Sequence, residues 1–307
     1  MSRISVIKPG LLTSVQDAGR PGYEHVGVMV GGWLDDFAAR WANRLVGNAG
    51  EAAVLEVTIL GPTLEALEPG WLALAGANLG AAINGKPWAP GSSRRVQSGD
   101  RVSFGRANDG ARAYLAFAGG LHVEPVWGSR STDLVAGFGG IAGRAVQAGD
   151  VLSYAGDPGK AVRAPVETCL VGPVLHVLPG VGLHRFPPGT WERLIGGHFR
   201  VGHQSNRVGI RLTGDTILEA PPAGDHVSEG MAIGSVEVPP SGELLVLMKS
   251  RGSIGGYPTV AHVIIADWPR LAQLTPGSAV QFAEISSEDA RKRLRDQEDL
   301  LHREVLR

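Results

Sequence analysis

Cysteine is almost absent from this chain of 307 residues, in which Cys169 is the only one. A single cysteine cannot form an internal disulfide, and such usage is typical of a reducing compartment. The N-terminal sequence MSRISVIKPG lacks the apolar core of a signal peptide, and no run approaches the roughly 18 apolar residues of a membrane span. These absences predict a cytoplasmic protein with no membrane partner.

Charge is also scarce and balanced. Charged residues make up 19% of the chain, the formal net charge is −1, and the pI is about 6.8. No overall field therefore attracts nucleic acid or an anionic lipid surface, and we expect no nucleic-acid partner. A charged small molecule has to be recognised by local groups.

Glycine and apolar residues are abundant by contrast. The chain has 44 Gly and 20 Pro, while 43% of its residues are hydrophobic. Short runs such as AAVLEVTIL, ELLVLM and SAVQFAEI recur about every ten residues, and most end at Gly, Pro or Asn-Gly. This pattern predicts a mainly β fold, either barrel or sandwich, with a large core.

Few segments have helical periodicity. Three short ones are LDDFAARWANRLVGN, TWERLIG with Thr190 as its cap, and DWPRLAQLTPG. The C-terminal segment 286–307 predicts the longest helix, with Ser286 and Asp289 as a capping box. Its apolar stripe is narrow, so the helix either packs outside a domain, meets a partner, or is a solvated tail.

A short sequence recurs before predicted strands. RRVQSGDRVSF (94–104) and RAVQAGDVLSY (144–154) share their pattern, and LTPGSAVQF (274–282) is a looser copy. Each copy predicts a tight turn, used either at equivalent edges of related barrels or simply as a local solution. The Gly-, Pro- and Ala-rich stretch 155–168 predicts a boundary, giving domains 1–160 and 161–285 and a C-terminal helix 286–307.

Several motifs resemble cofactor sites but lack an essential part. GAAINGKP (80–87) has Pro87 where a phosphate loop needs Ser or Thr, and Asn84-Gly85 favours a hairpin. GFGGIA (137–142) is not followed by a helix that could bind a pyrophosphate. LMKS (247–250) only partly matches a biotin-carrying turn, so we expect an exposed lysine and no covalently attached biotin. Histidine spacing predicts no metal site.

Five polar loops flanked by glycine remain as candidate ligand sites. They are SVQDAGRPGY (14–23), WGSRST (127–132), GHQSNRVGIRL (202–212), HVSEG (226–230) and RGSIGGYPT (251–259). Each offers small hydroxyls or an amide, glycine for close backbone approach, and usually an arginine that can hold a carboxylate or phosphate oxygen.

The order of these motifs resembles one known family. PGLLTSVQDAGRPGY, VLEVTILGPTLE, GSRST, SNRVGIRL, SEGMAIGSVEVPPSG and GGYPTVAHVIIADWPRLAQLTPG occur in the order found in the biotin-dependent carboxyltransferase A/B family. That family includes allophanate hydrolase subunit 2, the KipI antagonist and the C-type subunit of 5-oxoprolinase. The resemblance runs from about residue 6 to residue 283.

The resemblance implies two cyclophilin-like β-barrel domains with few short helices and a C-terminal helix. It also implies one part of a hydrolase complex, which works with a KipI-like B-type subunit plus a third protein of the A type. Together these would open 5-oxo-L-proline to L-glutamate, with ATP used at the level of the complex. Two alternatives stay open: a regulatory protein that antagonises a KipI-like kinase inhibitor, and a carboxyltransferase acting with carboxybiotin on urea-type substrates.

Within this family resemblance, we expect the polar loops to form the substrate site. Glu229 is the expected general base or amide-orienting acceptor, with Arg207 and Arg130 as charge stabilisers. Gly255 and Gly256 are expected to offer backbone N–H groups, and Tyr257 a wall and a hydroxyl. The other expected substrate contacts are Ser205, Asn206, Ser228, Arg20 and Ser131.

The chain departs from the family pattern at three places. Ser205-Asn206-Arg207 stands where Ser-Asp-Arg is common, which removes a carboxylate. Gly252-Ser253-Ile254 replaces a Gln-Thr-Thr run, and Gly31-Gly32-Trp33-Leu34-Asp35 replaces Ser-Gly-Ala-Met-Asp. These changes predict a shifted substrate or a weakened activity.

Overall fold

The structure is a computed structural model that describes residues 1–156, 172–221 and 227–302. These residues divide into two compact units. The first contains residues 1–20, 31–156 and 300–302, and the second contains residues 21–30, 172–221 and 227–299. The segment Pro21–Val30 thus belongs to the second unit despite its early place in the chain. The domain boundary predicted after residue 160 lies outside the described residues.

Two antiparallel sheets form the first unit. Their strands are β1 (Ser2–Lys8), β2 (Leu12–Gln16), β3 (Val54–Thr58), β4 (Thr63–Ala66), β5 (Gly70–Gly76), β6 (Ala82–Ile83), β7 (Lys86–Pro87), β8 (Ser92–Val96), β9 (Arg101–Ser103), β10 (Arg112–Phe117) and β11 (Val151–Tyr154). One sheet has the order β11-β1-β4-β9-β6-β7, and the other has the order β2-β3-β10-β5-β8.

A closed seven-stranded barrel forms the second unit. The strands of this unit are β12 (Val174–Pro179), β13 (Phe199–Val201), β14 (Gly209–Gly214), β15 (Glu229–Gly230), β16 (Ser235–Glu237), β17 (Leu244–Leu247), β18 (Ile254–Gly255), β19 (Thr259–Val263) and β20 (Ala279–Glu284). The barrel order is β12-β19-β16-β17-β14-β13-β20, with β12 and β20 parallel. Strands β15 and β18 form a separate two-stranded sheet. The predicted mainly β, barrel-containing fold is confirmed.

The helices lie where the sequence predicts them. They are α1 (Asp36–Leu45), α2 (Thr190–Gly196), α3 (Trp268–Gln273) and α4 (Ser287–His302). In α4 the predicted capping pair forms, since the Asp289 N–H donates to Ser286 Oγ at 3.0 Å. The cap predicted at Thr190 is wrong: Thr190 is the first helical residue, and Gly189, at φ 78°, is the N-cap. In the part of the chain described, no helix combines the length and apolarity needed to cross a membrane.

The predicted turns are also present. Asn84 and Gly85 both have positive φ and join β6 to β7. In the two close sequence repeats, Asp100 accepts the Gln97 N–H and Asp150 accepts the Gln147 N–H, each at 2.7 Å, just before a strand. Each copy therefore forms the same tight turn.

A buried polar cluster fixes the start of α1 in the first unit. The Tyr114 hydroxyl donates to Glu56 at 2.9 Å and accepts the Asp35 N–H at 2.8 Å. Asp35 in turn caps α1 by accepting the Ala38 N–H. Burial, followed by the nearby carboxylates of Glu56 and Asp35, raises the pKa of Tyr114 well above its usual value. The hydroxyl therefore stays protonated and serves as a donor.

We predict that Tyr114→Phe destabilises the protein by about 2 kcal/mol, because two buried polar groups lose a partner. Urea unfolding measures the change. The control Tyr257→Phe removes an exposed hydroxyl and should change the free energy of unfolding by less than about 0.5 kcal/mol. Equal effects of the two substitutions would contradict the role given to the Tyr114 hydroxyl.

Candidate functional site

The two-stranded sheet of the second unit brings together two distant predicted site segments. Glu229 pairs with Gly255, and Gly230 pairs with Ile254. The Met231 N–H donates to the Ser253 carbonyl at 3.0 Å, and the ladder pattern then directs the Gly255 N–H to the Glu229 carbonyl. The Gly256 N–H has no hydrogen bond among the described residues, so it is one backbone donor available to a ligand.

A side chain at Gly255 would displace the side chains packed against it. A Cβ at this position would lie 2.8 Å from Met231 Cγ and 3.1 Å from Glu237 Oε1. Glycine therefore allows the backbone of β18 to approach a carboxyl group of barrel strand β16.

Glu237 is a buried carboxyl group that the sequence motifs do not single out. Its side chain lies on the face of β16 opposite Val236, which is buried in the barrel. Glu237 is only 4% exposed, and it makes no hydrogen bond within the described residues. Burial raises its pKa to about 7, so both its protonated and its ionised form exist near neutral pH.

His262 lies on the same face of the barrel as Ser235. The two residues are register partners, and Ser235 Oγ lies 3.2 Å from His262 Nδ1. Burial lowers the pKa of His262, and the carboxylate of Glu229 opposes that shift. The imidazole is therefore neutral at pH 7, where its other ring nitrogen can donate or accept one hydrogen bond.

Residues 205–209 form a turn in which the side chains of Ser205 and Asn206 accept hydrogen bonds from nearby backbone N–H groups. Asn206 Oδ1 accepts the Val208 N–H at 2.8 Å, and Ser205 Oγ accepts the Arg211 N–H at 3.1 Å. The Arg207 carbonyl accepts the Ser250 N–H at 3.0 Å, while the Arg207 side chain is 6% exposed. This turn therefore supports the turn that follows β17.

The other predicted site residues belong to the first unit, where a buried carboxylate organises two loops. Asp17 accepts hydrogen bonds from Ser129 Oγ, Ser131 Oγ and the backbone N–H groups of Gly19 and Arg130, at 2.5 to 2.9 Å. Ser131 Oγ also accepts the Asp17 N–H at 2.8 Å. Ser131 is thereby engaged in the structure of its loop, while the Arg130 side chain is exposed.

Arg20 is almost fully buried beside this cluster, at 1% exposure. Its guanidinium donates to the carbonyls of Ser131 and Val126 and lies 4.8 Å from the ring centre of Phe138. Burial lowers its pKa, and the carboxylates of Asp17 and Asp133 oppose that shift. These contacts hold the 126–131 loop and Phe138 against Arg20, the last residue of the first segment (1–20) of this unit.

The structure thus places the predicted residues in separate groups. Ser228, Glu229, Gly255 and Gly256 lie together, since a Cβ at Gly256 would lie 3.6 Å from Ser228 Oγ. Tyr257 follows with 45% exposure. Arg20, Arg130 and Ser131 are in the other unit, and their role toward a substrate stays a prediction.

Two observations differ from the expectations based on sequence. Lys249 is 8% exposed and not the exposed strand-end lysine that was expected, because it lies in the turn that packs against Arg207. Glu237 could have been found as the one carboxylate inside the otherwise apolar strand sequence GSVEVPP. Its burial depends on β18, which is distant in sequence.

No group of three metal-ligating side chains occurs in the described ranges.

Comparison with known proteins identifies relatives over almost the whole chain. A family model described as carboxyltransferase domain, subdomain A and B, matches residues 26–284. The chain is 38% identical to the C subunit of 5-oxoprolinase from Escherichia coli K12, covering 96% of this chain and 95% of that protein.

Solved structures agree with this relationship. A chain named TTHA0988 is 37% identical with a TM-score of 0.84, and the match covers 92% of this chain and 56% of that one. Urea carboxylase of Kluyveromyces lactis is 29% identical with a TM-score of 0.88, covering 97% of this chain and 29% of that one. The chain therefore spans little more than half of the first solved relative and less than a third of the second.

We predict that Glu237→Gln changes how stability depends on pH. Between the usual pKa of 4.5 and the folded value of about 7, the folded protein holds a proton that the unfolded chain has released. The free energy of unfolding of the wild type therefore falls as pH rises through this window, whereas glutamine has no proton to lose. The variant should match the wild type near pH 4.5 and be more stable by roughly 1–3 kcal/mol at pH 8.

Urea unfolding of both proteins at several pH values measures this difference, in which the titration of all other groups cancels. Parallel curves for the two proteins would contradict a raised pKa at Glu237.

We also predict that Asp17→Ala destabilises the protein by roughly 3–5 kcal/mol, because several buried donors lose a charged acceptor. Asp17→Asn should cost less, since the amide oxygen still accepts hydrogen bonds. Thermal or urea unfolding tests this, with the exposed Glu51→Ala as control. A loss below about 1 kcal/mol in Asp17→Ala would show that the cluster does not hold the loops.

Proposed function

We propose that this chain, which belongs to the carboxyltransferase family of subdomains A and B, is the C-type subunit of an ATP-dependent 5-oxoprolinase. Such a complex hydrolyses 5-oxo-L-proline, a cyclic amide, to L-glutamate. The observation that carries the proposal is the likeness to the Escherichia coli 5-oxoprolinase chain along nearly the full length of both proteins. We further propose a KipI-like B-type subunit plus an A-type protein as its partners, and the cytoplasm as its location.

The geometry around Glu229 supports a role in binding a cyclic amide. The Gly256 N–H can donate to a carbonyl or carboxylate oxygen. The half-buried carboxylate of Glu229, which follows Ser228, can accept an amide N–H. Arg207 and Arg130 are proposed as charge stabilisers. Arg130 suits this role because its backbone is anchored to Asp17 while its guanidinium is exposed.

Glu237 has a pKa suited to the proton transfer that ring opening requires. Addition of water across the lactam C–N bond leaves the nitrogen with one more proton, which an acid must deliver. A carboxyl group with a pKa of about 7 can both give and take a proton at neutral pH. Glu237 Oε1 would lie 3.1 Å from a Cβ at Gly255. The carboxyl group therefore adjoins the residue before Gly256, whose N–H is proposed to bind the substrate oxygen.

The segment that resembles a phosphate loop does not have the structure of a nucleotide site. Gly80 to Pro87 end in the hairpin of β6 and β7, and Lys86 is exposed on its edge without a helix N-terminus beside it. We therefore assign ATP to the assembled complex and derive no step through it. The burial of Lys249 supports the proposal that biotin is not attached to this chain.

Carboxyl transfer is the second candidate function, favoured by the structural likeness to urea carboxylase. A regulatory protein that binds a KipI-like kinase inhibitor remains the third. The three differ in partners: 5-oxoprolinase requires the A-type and B-type proteins, carboxyl transfer requires carboxybiotin, and regulation requires only the inhibitor.

We predict that glutamate release from 5-oxoproline and ATP requires this chain together with both partner proteins. In that reconstituted complex, Glu229→Gln and Arg207→Ala should each lower turnover at least tenfold, about 1.4 kcal/mol in activation free energy. Glu237→Gln should lower turnover and remove the pH dependence near pH 7. The control Glu243→Gln changes an exposed carboxylate and should be silent.

Wild-type rates for Glu229→Gln and Arg207→Ala would overturn the site assignment. Absence of glutamate release from the complete wild-type complex, together with carboxylation of a urea-type substrate by carboxybiotin, would replace the proposed function by the second candidate.

A further inference from the structure

Arg251 is a buried cation whose hydrogen-bonding capacity is largely unused. It lies in the turn after β17 and is 6% exposed. Its Nε donates to the Met231 carbonyl at 2.7 Å, but its two terminal nitrogens have no hydrogen bond to the described residues. Burial lowers the pKa of Arg251, yet a guanidinium remains charged in proteins. Such a group is costly to bury, and the nearby carboxylate of Glu24 offsets that cost only in part.

Arg251 lines a cavity of about 660 Å³ in the second unit. This volume falls within the range of small-molecule sites, roughly 300–1,000 Å³. The walls are mainly apolar and come from the outer face of the barrel, from α3 and from α4. They include Leu178, Ile233, Trp268 and Leu294.

The charges around the cavity select the ligand class. Arg251 and, at the exposed edge, Arg291 contribute two positive charges, while Glu24 contributes one negative charge. Glu24 is oriented by its own turn, since Glu24 Oε2 accepts the Gly22 N–H at 2.7 Å, and it makes no ion pair with Arg251 among the described residues. His262 is neutral at pH 7 and can add one hydrogen bond. The local net charge of +1 complements a monoanion.

We propose that this cavity binds a small monocarboxylate with an apolar body, its carboxylate held by the terminal nitrogens of Arg251. A planar carboxylate can accept two parallel hydrogen bonds from this guanidinium. The apolar body then covers Trp268 and Leu294. The cavity is distinct from the group formed by Glu229, Glu237 and Gly256, because none of these residues lines it, although His262 adjoins both places.

Tryptophan fluorescence and calorimetry of the full-length chain test the proposal with octanoate, octan-1-ol and octyl phosphate as probes. Octanoate should bind and perturb the emission of Trp268, a change that Trp268→Phe removes. Octan-1-ol should bind at least tenfold more weakly because it lacks the charge. Octyl phosphate should also bind more weakly, because Glu24 repels its second charge.

Two variants separate the parts of the site. Arg251→Met should weaken octanoate binding at least tenfold and leave octan-1-ol nearly unchanged. Leu294→Trp should fill the cavity from α4 and weaken both probes. Arg295→Met removes a neighbouring exposed cation of α4 that does not line the cavity, so it should leave octanoate binding intact.

Equal affinities of the wild type for octanoate and octan-1-ol would overturn the proposal, and this comparison does not depend on whether Arg251→Met folds. Unchanged octanoate binding in Leu294→Trp would also overturn it. If no probe binds at millimolar concentration, the proposal is wrong. A dimer that Leu294→Trp disrupts would then identify the cavity as an interface between copies.

Discussion

The close approach of Gly255 to the outer face of the barrel is the constraint on which the candidate site depends. A Cβ at Gly255 would force the side chains of Met231 and Glu237 to shift, so glycine lets β18 lie against both as they stand. This contact keeps water from Glu237, pairs Glu229 with the glycine loop, and leaves the Gly256 N–H for a ligand. Packing at this glycine therefore connects the pairing of Glu229 with the burial of Glu237.

Asp17 of the first unit and Glu237 of the second are both buried carboxyl groups, but their surroundings differ. Asp17 of the first unit receives hydrogen bonds from four neighbouring groups, so its charge is compensated and it serves to join loops. Glu237 receives none within the described residues, and Arg251 uses only its Nε. A buried ionisable group without partners destabilises the folded state unless something else binds it, which makes such groups candidates for ligand and proton chemistry.

Much of the fold follows from local sequence. Asn84-Gly85 specifies a hairpin because both residues tolerate positive φ, and Ser286 with Asp289 specifies a helix start through a contact three residues apart. The repeated Gly-Asp turn forms in the same way at each close copy. The Thr190 cap was wrong by one residue because glycine at 189 can adopt the left-handed conformation that begins α2.

Short strands and helix positions could be predicted from the amino-acid sequence because turn chemistry and hydrophobic periodicity are encoded within a few residues, and the order of motifs along the chain identified the family. The sequence also predicted that Glu229 and the Gly255-Gly256 loop lie together, and the structure pairs Glu229 with Gly255. Only the tertiary structure identified Glu237, His262 and Arg251 as exceptional. Their protonation and their unused hydrogen bonds depend on burial by segments distant in sequence, and burial is a property of the packed chain rather than of any local pattern.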